Sequence, residues 1–436
     1  MGHDDGESAV GGGEAGDALG GAVGGTINSV IATAAGGVNK QGSGSWSLTG
    51  ANTYTGTTTI GAGTLRISGS GSLGAGSYVG NIINSGILQY SSSADQVFSG
   101  NMSGTGGALI KDTSASTLTL TGSNSYSGLT TISVGKLQVG NGGSGGTLGT
   151  GNVINHATLV VNKNVNTILS NVISGTGTMT ATITGSAQSL TILGAISQSG
   201  AVNLNASGAL TIGANLSAGA ASTLISGATL TLNASTVTST SSGNLILSAA
   251  RFVNNAGSGA LSVTGGGNWQ VWSSNVSPFD ANAAIADSRG GLSFNYKQYN
   301  AIYGSSTVLG TGNGFLYSYA PTLTASLTGT VTKTYDRLTT AALGSSNYSL
   351  SGTVDSDVVV LNNPSSGSYT SQGTGVGIKD VGTGKTVSVS GISISSALNS
   401  GGTVYRYTVN SSAGANIGVI TQRALTGTAI ASASST

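Results

Sequence analysis

Cysteine is absent from the 436-residue sequence, proline occurs three times and histidine twice, and Asp, Glu, Lys and Arg together make up only 6% of it. The lack of cysteine removes disulfides, thiol nucleophiles and thiolate metal sites, though it identifies no compartment. Scarce proline, and glycine with no three-residue period, exclude a collagen-like chain despite 74 glycines. Fourteen basic and thirteen acidic residues are scattered singly for a formal charge of +1. No phosphate backbone or anionic membrane would be held by that pattern, so no nucleic acid partner is expected. No segment approaches the roughly 18 apolar residues of a membrane helix. The opening MGHDDGESAVGGGEAGDALGGAVGG has no basic start and no continuous apolar run, so it does not read as a signal peptide.

What remains is a Gly-, Ser- and Thr-rich chain in which 38% of the residues are hydrophobic, enough to build a core. Its main feature is an internal repeat. Leu48 to Ile67 (LTGANTYTGTTTIGAGTLRI) returns as Leu120 to Val139 (LTGSNSYSGLTTISVGKLQV), 72 residues on. NIINSGILQY from Asn81 is answered by NVINHATLVV from Asn152, and Ser103-Gly104-Thr105-Gly106 by Ser174-Gly175-Thr176-Gly177, 71 residues on. Within each copy, short alternating apolar runs such as Thr64-Leu65-Arg66-Ile67 and Lys136-Leu137-Gln138-Val139 are bounded by Gly, Ser or Asn, the pattern of short strands between turns.

Repeated short strands that cannot close a core alone point to a stacked solenoid, with 72 residues dividing into three coils of about 24. The expected fold class is therefore all-β: a right-handed parallel β-helix over 41–265, with Ile60 and Ile132 both inward. Thr57-Thr58-Thr59 would lie outward, and Asn would serve corners or ladders. An antiparallel sandwich is the rival. Residues 1–40 read as a flexible Gly-rich leader.

From Arg251 the regularity fades and aromatics concentrate (Phe252, Trp269, Trp272, Phe279, Phe294, Tyr296, Tyr299, Tyr303, Phe315, Tyr317, Tyr319). Residues 266–320 are expected to be terminal coils or a cap, the alternative being an aromatic ligand platform. Strand-like runs at Thr322 to Thr328, Tyr348 to Gly352, Val358 to Leu361, Val387 to Ser393 and Val404 to Val409 suit an immunoglobulin-like β-sandwich over 321–425, with Tyr335 as an anchor and Gly382 and Gly384 in a turn. Residues 426–436 would form a tail.

The passages Leu48 to Ile60 and Leu120 to Ile132 resemble the passenger-associated transport repeat of autotransporter adhesins. Arg251-Phe252-Val253-Asn254-Asn255-Ala256, Trp269-Gln270-Val271-Trp272-Ser273 and Tyr296-Lys297-Gln298-Tyr299-Asn300-Ala301 are similar to the late passenger region of filamentous-haemagglutinin-like exoproteins. Leu323 to Ala424 resembles their YDG or MBG-type module, through Lys333-Thr334-Tyr335-Asp336-Arg337, Val381 to Gly391 and Arg423-Ala424-Leu425. Arg337 stands where that module usually has glycine. The resemblance implies export across the outer membrane through a transport pore, display at or release from the bacterial surface, and attachment, aggregation or biofilm formation on host or neighbouring-cell glycans or proteins. The family's secretion parts are missing from this sequence, which then reads as a fragment or truncated product, the route undecided between autotransport and two-partner secretion. A purely structural stalk is the alternative role.

Candidate chemistry is sparse: no catalytic, cofactor-binding or metal-ligating residue is assigned and no cofactor is expected. His3, Asp4, Asp5, Glu7, Glu14 and Asp17 share the glycine-rich start, with one poor copy of a calcium-binding repeat. His156 has Ser85 as its counterpart and reads as a surface residue. Asp355 and Asp357 read as solvating a turn rather than as a calcium site. A polysaccharide-degrading β-helix needs paired carboxylates; between Asp112 and Asp280 there is neither Asp nor Glu, and Asp95 and Asp112 stand alone, Lys111 beside one of them.

Overall fold

The computed structural model describes residues 17–113, 116–233, 236–239 and 241–427. His3, Asp4, Asp5, Glu7 and Glu14 lie outside them. Two compact units are present, one holding residues up to 294 with 302–304 and 312–316, the other 295–301, 305–311 and 317 onward.

The first unit is a right-handed parallel β-solenoid with three strand positions per coil. On the first face lie Asp17–Leu19, Val38–Lys40, Thr58–Ile60, Ile82–Asn84 and Met102–Ser103. A second face runs unbroken from Gly25–Ile27 to Leu261–Val263 in twelve strands. The third takes in Gln96–Phe98, Thr117–Leu120, Lys136–Val139, Thr158–Lys163 and Thr178–Ile183, each paired in parallel with the next. Coils are already present at 17–40, because Val38 and Lys40 face inward as the later coils do.

Alternation explains these strands. In Thr64–Gly69, Leu65 and Ile67 are fully buried while Arg66 faces outward, and Thr117–Leu120 repeats this with Leu118 and Leu120. Each such leucine or isoleucine contributes about 1.5–3 kcal/mol by leaving water, provided the coils above and below cover it.

Ile60 and Ile132 are both wholly buried, as the repeat requires, but they occupy different faces. Thr58–Ile60 pairs with Ile82–Asn84 on the first, Thr130–Ile132 with Ala108–Lys111 and Val153–Asn155 on the second. Likewise Thr64–Gly69 lies on the second face and its copy Lys136–Val139 on the third. Pairing partners on the second face are 19 residues apart at Ser45 and Thr64 and 24 apart at Val237 and Leu261. The uniform 24-residue coil is therefore corrected: 72 residues make three coils plus one further face. All three faces offer the same demand, an inward apolar residue at every second position, so one sequence copy fits any of them.

The second unit is all-β, in three small sheets. Thr322–Leu327 pairs antiparallel with Tyr348–Ser351 and parallel with Thr408–Val409. A five-stranded sheet has the order Val331–Thr334, Ser412–Thr421, Gly382–Ser390, Ser366–Tyr369, Thr340–Ala342, its first pair parallel. Val358–Leu361 pairs with Ile394–Asn399, which turns back into Gly402–Tyr405. Leu343, Leu361, Tyr369, Val387, Val389 and Ile420 belong to the shared core.

Three details differ from expectation. Tyr335 is only half-buried, and the enclosed ring is Tyr369, whose hydroxyl donates to Val331 O at 2.9 Å. Gly382 and Gly384 belong to Gly382–Ser390, where Gly384 (φ 65°) makes an irregularity in the pairing rather than a preceding turn. The expected strand 404–409 breaks at Arg406 (φ 67°), which redirects the chain so that Tyr407 points inward.

Candidate functional surfaces and a buried ionic cluster

Outward side chains of the solenoid form columns, because parallel pairing in register places one residue of each coil over the next. On the third face one column reads Thr119, Gln138, Val160, Thr180, Asn203, Thr223. These are half-exposed hydroxyls and amides with one valine, and neighbours bond along the column: Thr223 Oγ1 donates to Asn203 Oδ1 at 2.9 Å. His156 is exposed, its Nδ1 3.1 Å from Thr176 Oγ1 one coil on. Asp112 accepts from Gln89 Nε2 at 2.5 Å and from Ser91 of the preceding coil, while Asp95 accepts from Thr117 N at 2.7 Å. Both carboxylates thus link coils. Among the described residues no group of three His, Cys, Asp or Glu side chains could hold a metal ion, and no helix is long and apolar enough to cross a membrane, which says nothing of a β-barrel.

Of the run expected to lie outward, Thr57 is exposed and Thr59 half-exposed, but Thr58 is inside, where other polar residues join it. Thr58 is fully buried, its Oγ1 2.9 Å from Tyr54 Oη and 2.7 Å from Tyr78 Oη; Tyr126 and Thr130 repeat the first contact at 2.7 Å. Asn81, Asn101 and Asn203 bond from coil to coil on the outside as a ladder would, whereas Asn52, Asn84 and Asn155 work as interior amides rather than at left-handed corners. Asn52 Oδ1 accepts from Ile31 N and its Nδ2 donates to Ser72 O, so one side chain ties three coils. Inward lysines end strands in the same way: Lys40 Nζ donates to the carbonyls of Gln41, Gly42 and Ala62 at 2.8–3.0 Å, and Lys163 Nζ to Gly146 O at 2.7 Å. Burial holds both ammonium groups below the ordinary lysine pKa. Spacing alone did not separate these residues from surface ones, since an inward Lys and an outward Thr occupy similar polar slots beside a turn.

Toward the end of this unit Trp269, Phe252 and Phe294 gather around Phe315, with ring centroids 5.2, 6.3 and 5.5 Å from it. Trp269 and Phe315 are buried, so these rings are core and not an exposed platform. A hollow of about 510 Å³ opens where first-face pairing lapses; Val139, Leu148, Val161 and Ile168 line it with Asn124 and Asn171.

In the second unit the turn Val354 to Asp357 closes with Asp357 N donating to Val354 O, and both central residues, Asp355 (φ 54°) and Ser356 (φ 57°), are left-handed. That geometry turns Asp357 inward, where its side chain is wholly buried, so its expected role in solvating the turn is corrected. Oδ1 accepts from Lys297 Nζ at 2.5 Å and Asn399 Nδ2 at 2.7 Å; Oδ2 accepts from the hydroxyls of Tyr299 at 2.6 Å and Tyr407 at 2.7 Å. Asp355 Oδ2 takes a second bond from Lys297 Nζ at 2.6 Å. Burial, then the Asp357 carboxylate, pushes Tyr299 far up, and burial chiefly raises Tyr407, so both phenols stay protonated. Lys297 reaches the cluster from Tyr296–Gln298, parallel to Gly402–Tyr405. A lone lysine between two tyrosines was the available signal, but its carboxylate partners lie about sixty residues on.

This solenoid is passenger-like and related to autotransporter and adhesin proteins. The profile of the Passenger-associated-transport-repeat family matches residues 38–67 and 113–139. The chain is 35% identical over 179 residues to the Adhesin BmaC autotransporter of Brucella suis biovar 1 (strain 1330), a match covering 36% of this chain and 5% of that protein. No solved structure matches.

Proposed function

We propose that the chain is part of a secreted or surface-displayed adhesin that crosses the outer membrane through a transport pore and mediates attachment, aggregation or biofilm formation, its partners being glycans or proteins of host or neighbouring cells. The observation that carries this reading is the neutral, coil-to-coil column of hydroxyls and amides on a passenger-like solenoid. Such a column offers many weak hydrogen bonds whose combined strength grows with length. The hollow beside Ile168 adds apolar walls with amide edges, a combination that suits a sugar ring. Residues 321–425 are read as a YDG/MBG-type immunoglobulin-like module, 41–265 as the repeat-bearing stack and 266–320 as its terminal coils except for 295–301, 305–311 and 317–320, which fall with the second unit. Binding of the purified chain to glycan arrays and cell surfaces tests the proposal: saturable binding weakened by Ile168→Asp supports it. Absence of binding, with adhesion of a longer parent surviving replacement of this segment at equal reach, leaves the stalk reading.

A further inference from the structure

Lys297 differs from other buried lysines in what its ammonium group faces. Lys40, Lys163 and Lys385 end on backbone carbonyls. Lys297 instead presents Nζ to two carboxyl groups, and both its side chain and that of Asp357 are wholly buried. Lys333 and Asp336 also form a pair at 2.6 Å, but Asp336 is largely in water. An amine and a carboxyl held together without water have the high effective concentration that makes amide formation favourable, since the expelled water leaves for bulk solvent. The phenols of Tyr299 and Tyr407 both aim at Asp357 Oδ2, where negative charge would develop on a tetrahedral intermediate. Asp355 stands within hydrogen-bond reach of the same Nζ, placed to accept its proton.

We propose that Lys297 and Asp357 condense to an intramolecular isopeptide bond. Nζ attacks Cγ, a C–N bond forms, and the Cγ–Oδ1 bond breaks. Two protons leave the ammonium group, by way of Asp355, and depart with Oδ1 as one water. No electrons change hands and no co-reactant is needed. Tyr299 and Tyr407 are the oxyanion donors, and Asn399, bonded through Nδ2 to Asp357 Oδ1 and Asp355 O, is a positioning residue. The product would tie the strand Tyr296–Gln298 covalently to the start of Val358–Leu361, a cross-link for a cysteine-free chain pulled at a cell surface.

Intact-mass spectrometry of the full chain is the test. The wild type should weigh one water less than its sequence, trypsin should fail to cut after Lys297, and a branched peptide should join it to Asp357. Lys297→Arg keeps the positive charge and, with a wild-type circular-dichroism spectrum, should return the full sequence mass. Asp355→Asn should condense slowly, its mass falling during incubation; condensation as complete as wild type at harvest would overturn the role of Asp355. A wild-type mass equal to the sequence overturns the proposal, as does a deficit that survives Lys297→Arg. Loss of one ammonia, with the branch at Asn399, overturns the assigned electrophile.

Discussion

Truncating Tyr369 to alanine should open the five-stranded sheet of the second unit far more than truncating Tyr335. The Tyr369 ring is 1% exposed, its hydroxyl donates to Val331 O at 2.9 Å and Val419 O at 3.2 Å, and Gly418 lies flat against it, a Cβ there falling 2.5 Å from Cε1. A buried tyrosine covers roughly 170 Å², which at ~25 cal/mol per Å² is about 4 kcal/mol. That agrees with the about 3–5 kcal/mol lost by large aromatic truncations. Tyr335 is half-buried at the edge of the same core and should lose about half as much. Since ~1.4 kcal/mol is a factor of ten, amides of Gly382–Ser390 and Ser412–Thr421 should exchange about a thousandfold faster in Tyr369→Ala, and about tenfold to thirtyfold faster in Tyr335→Ala. Tyr369→Phe keeps the ring and should lose about 1 kcal/mol. Hydrogen-exchange mass spectrometry of the full chain measures all three. Equal effects from the two alanine variants, or less than a tenfold change in Tyr369→Ala, would refute the assignment of Tyr369 as the anchor.

Gly104 (φ 126°) and Gly175 (φ 129°) are repeat copies whose Cβ would fall 1.9 and 2.2 Å from the carbonyl oxygens of Asn84 and Asn155; alanine at either should cost at least about 3 kcal/mol, and unchanged melting would refute the close approach. Arg337 holds φ 68°, so Arg337→Gly should raise the denaturant midpoint of the second unit by the equivalent of about 0.5–1 kcal/mol, and a lowered midpoint counts against strain there. Tyr78, Tyr90 and Tyr296 are pushed up to about 12 by burial, so above pH 10 the unfolded chain releases protons that the folded chain keeps, and stability should fall from pH 10 to about 12. Tyrosinate absorbance rising in step with unfolding checks this. Lys40 has the opposite sign. Its folded pKa lies below 10.5, so its contribution improves as pH rises to that value, and the stability gap between Lys40→Met and wild type should shift toward wild type over that window.

The sequence by itself determined the solenoid and its polar skin. Alternation in Thr64-Leu65-Arg66-Ile67 and its copies dictates which side chains turn inward, and a repeat with no way to close a core alone must stack. The relation to passenger repeats was legible for the same reason, since those residues are the turns and inward positions of single coils. Coil length and phase were not legible. They depend on which strand lies beneath which, and the three faces accept the same pattern, so only the pairing of Thr58–Ile60 and of Thr130–Ile132 with different neighbours revealed the extra face. Nor could local spacing reveal the cluster at Asp357. Its partners come from residues 297, 299, 355, 399 and 407, brought together by strand pairing over long sequence separations, and whether a carboxylate meets water or a lysine depends on burial that only the tertiary structure creates.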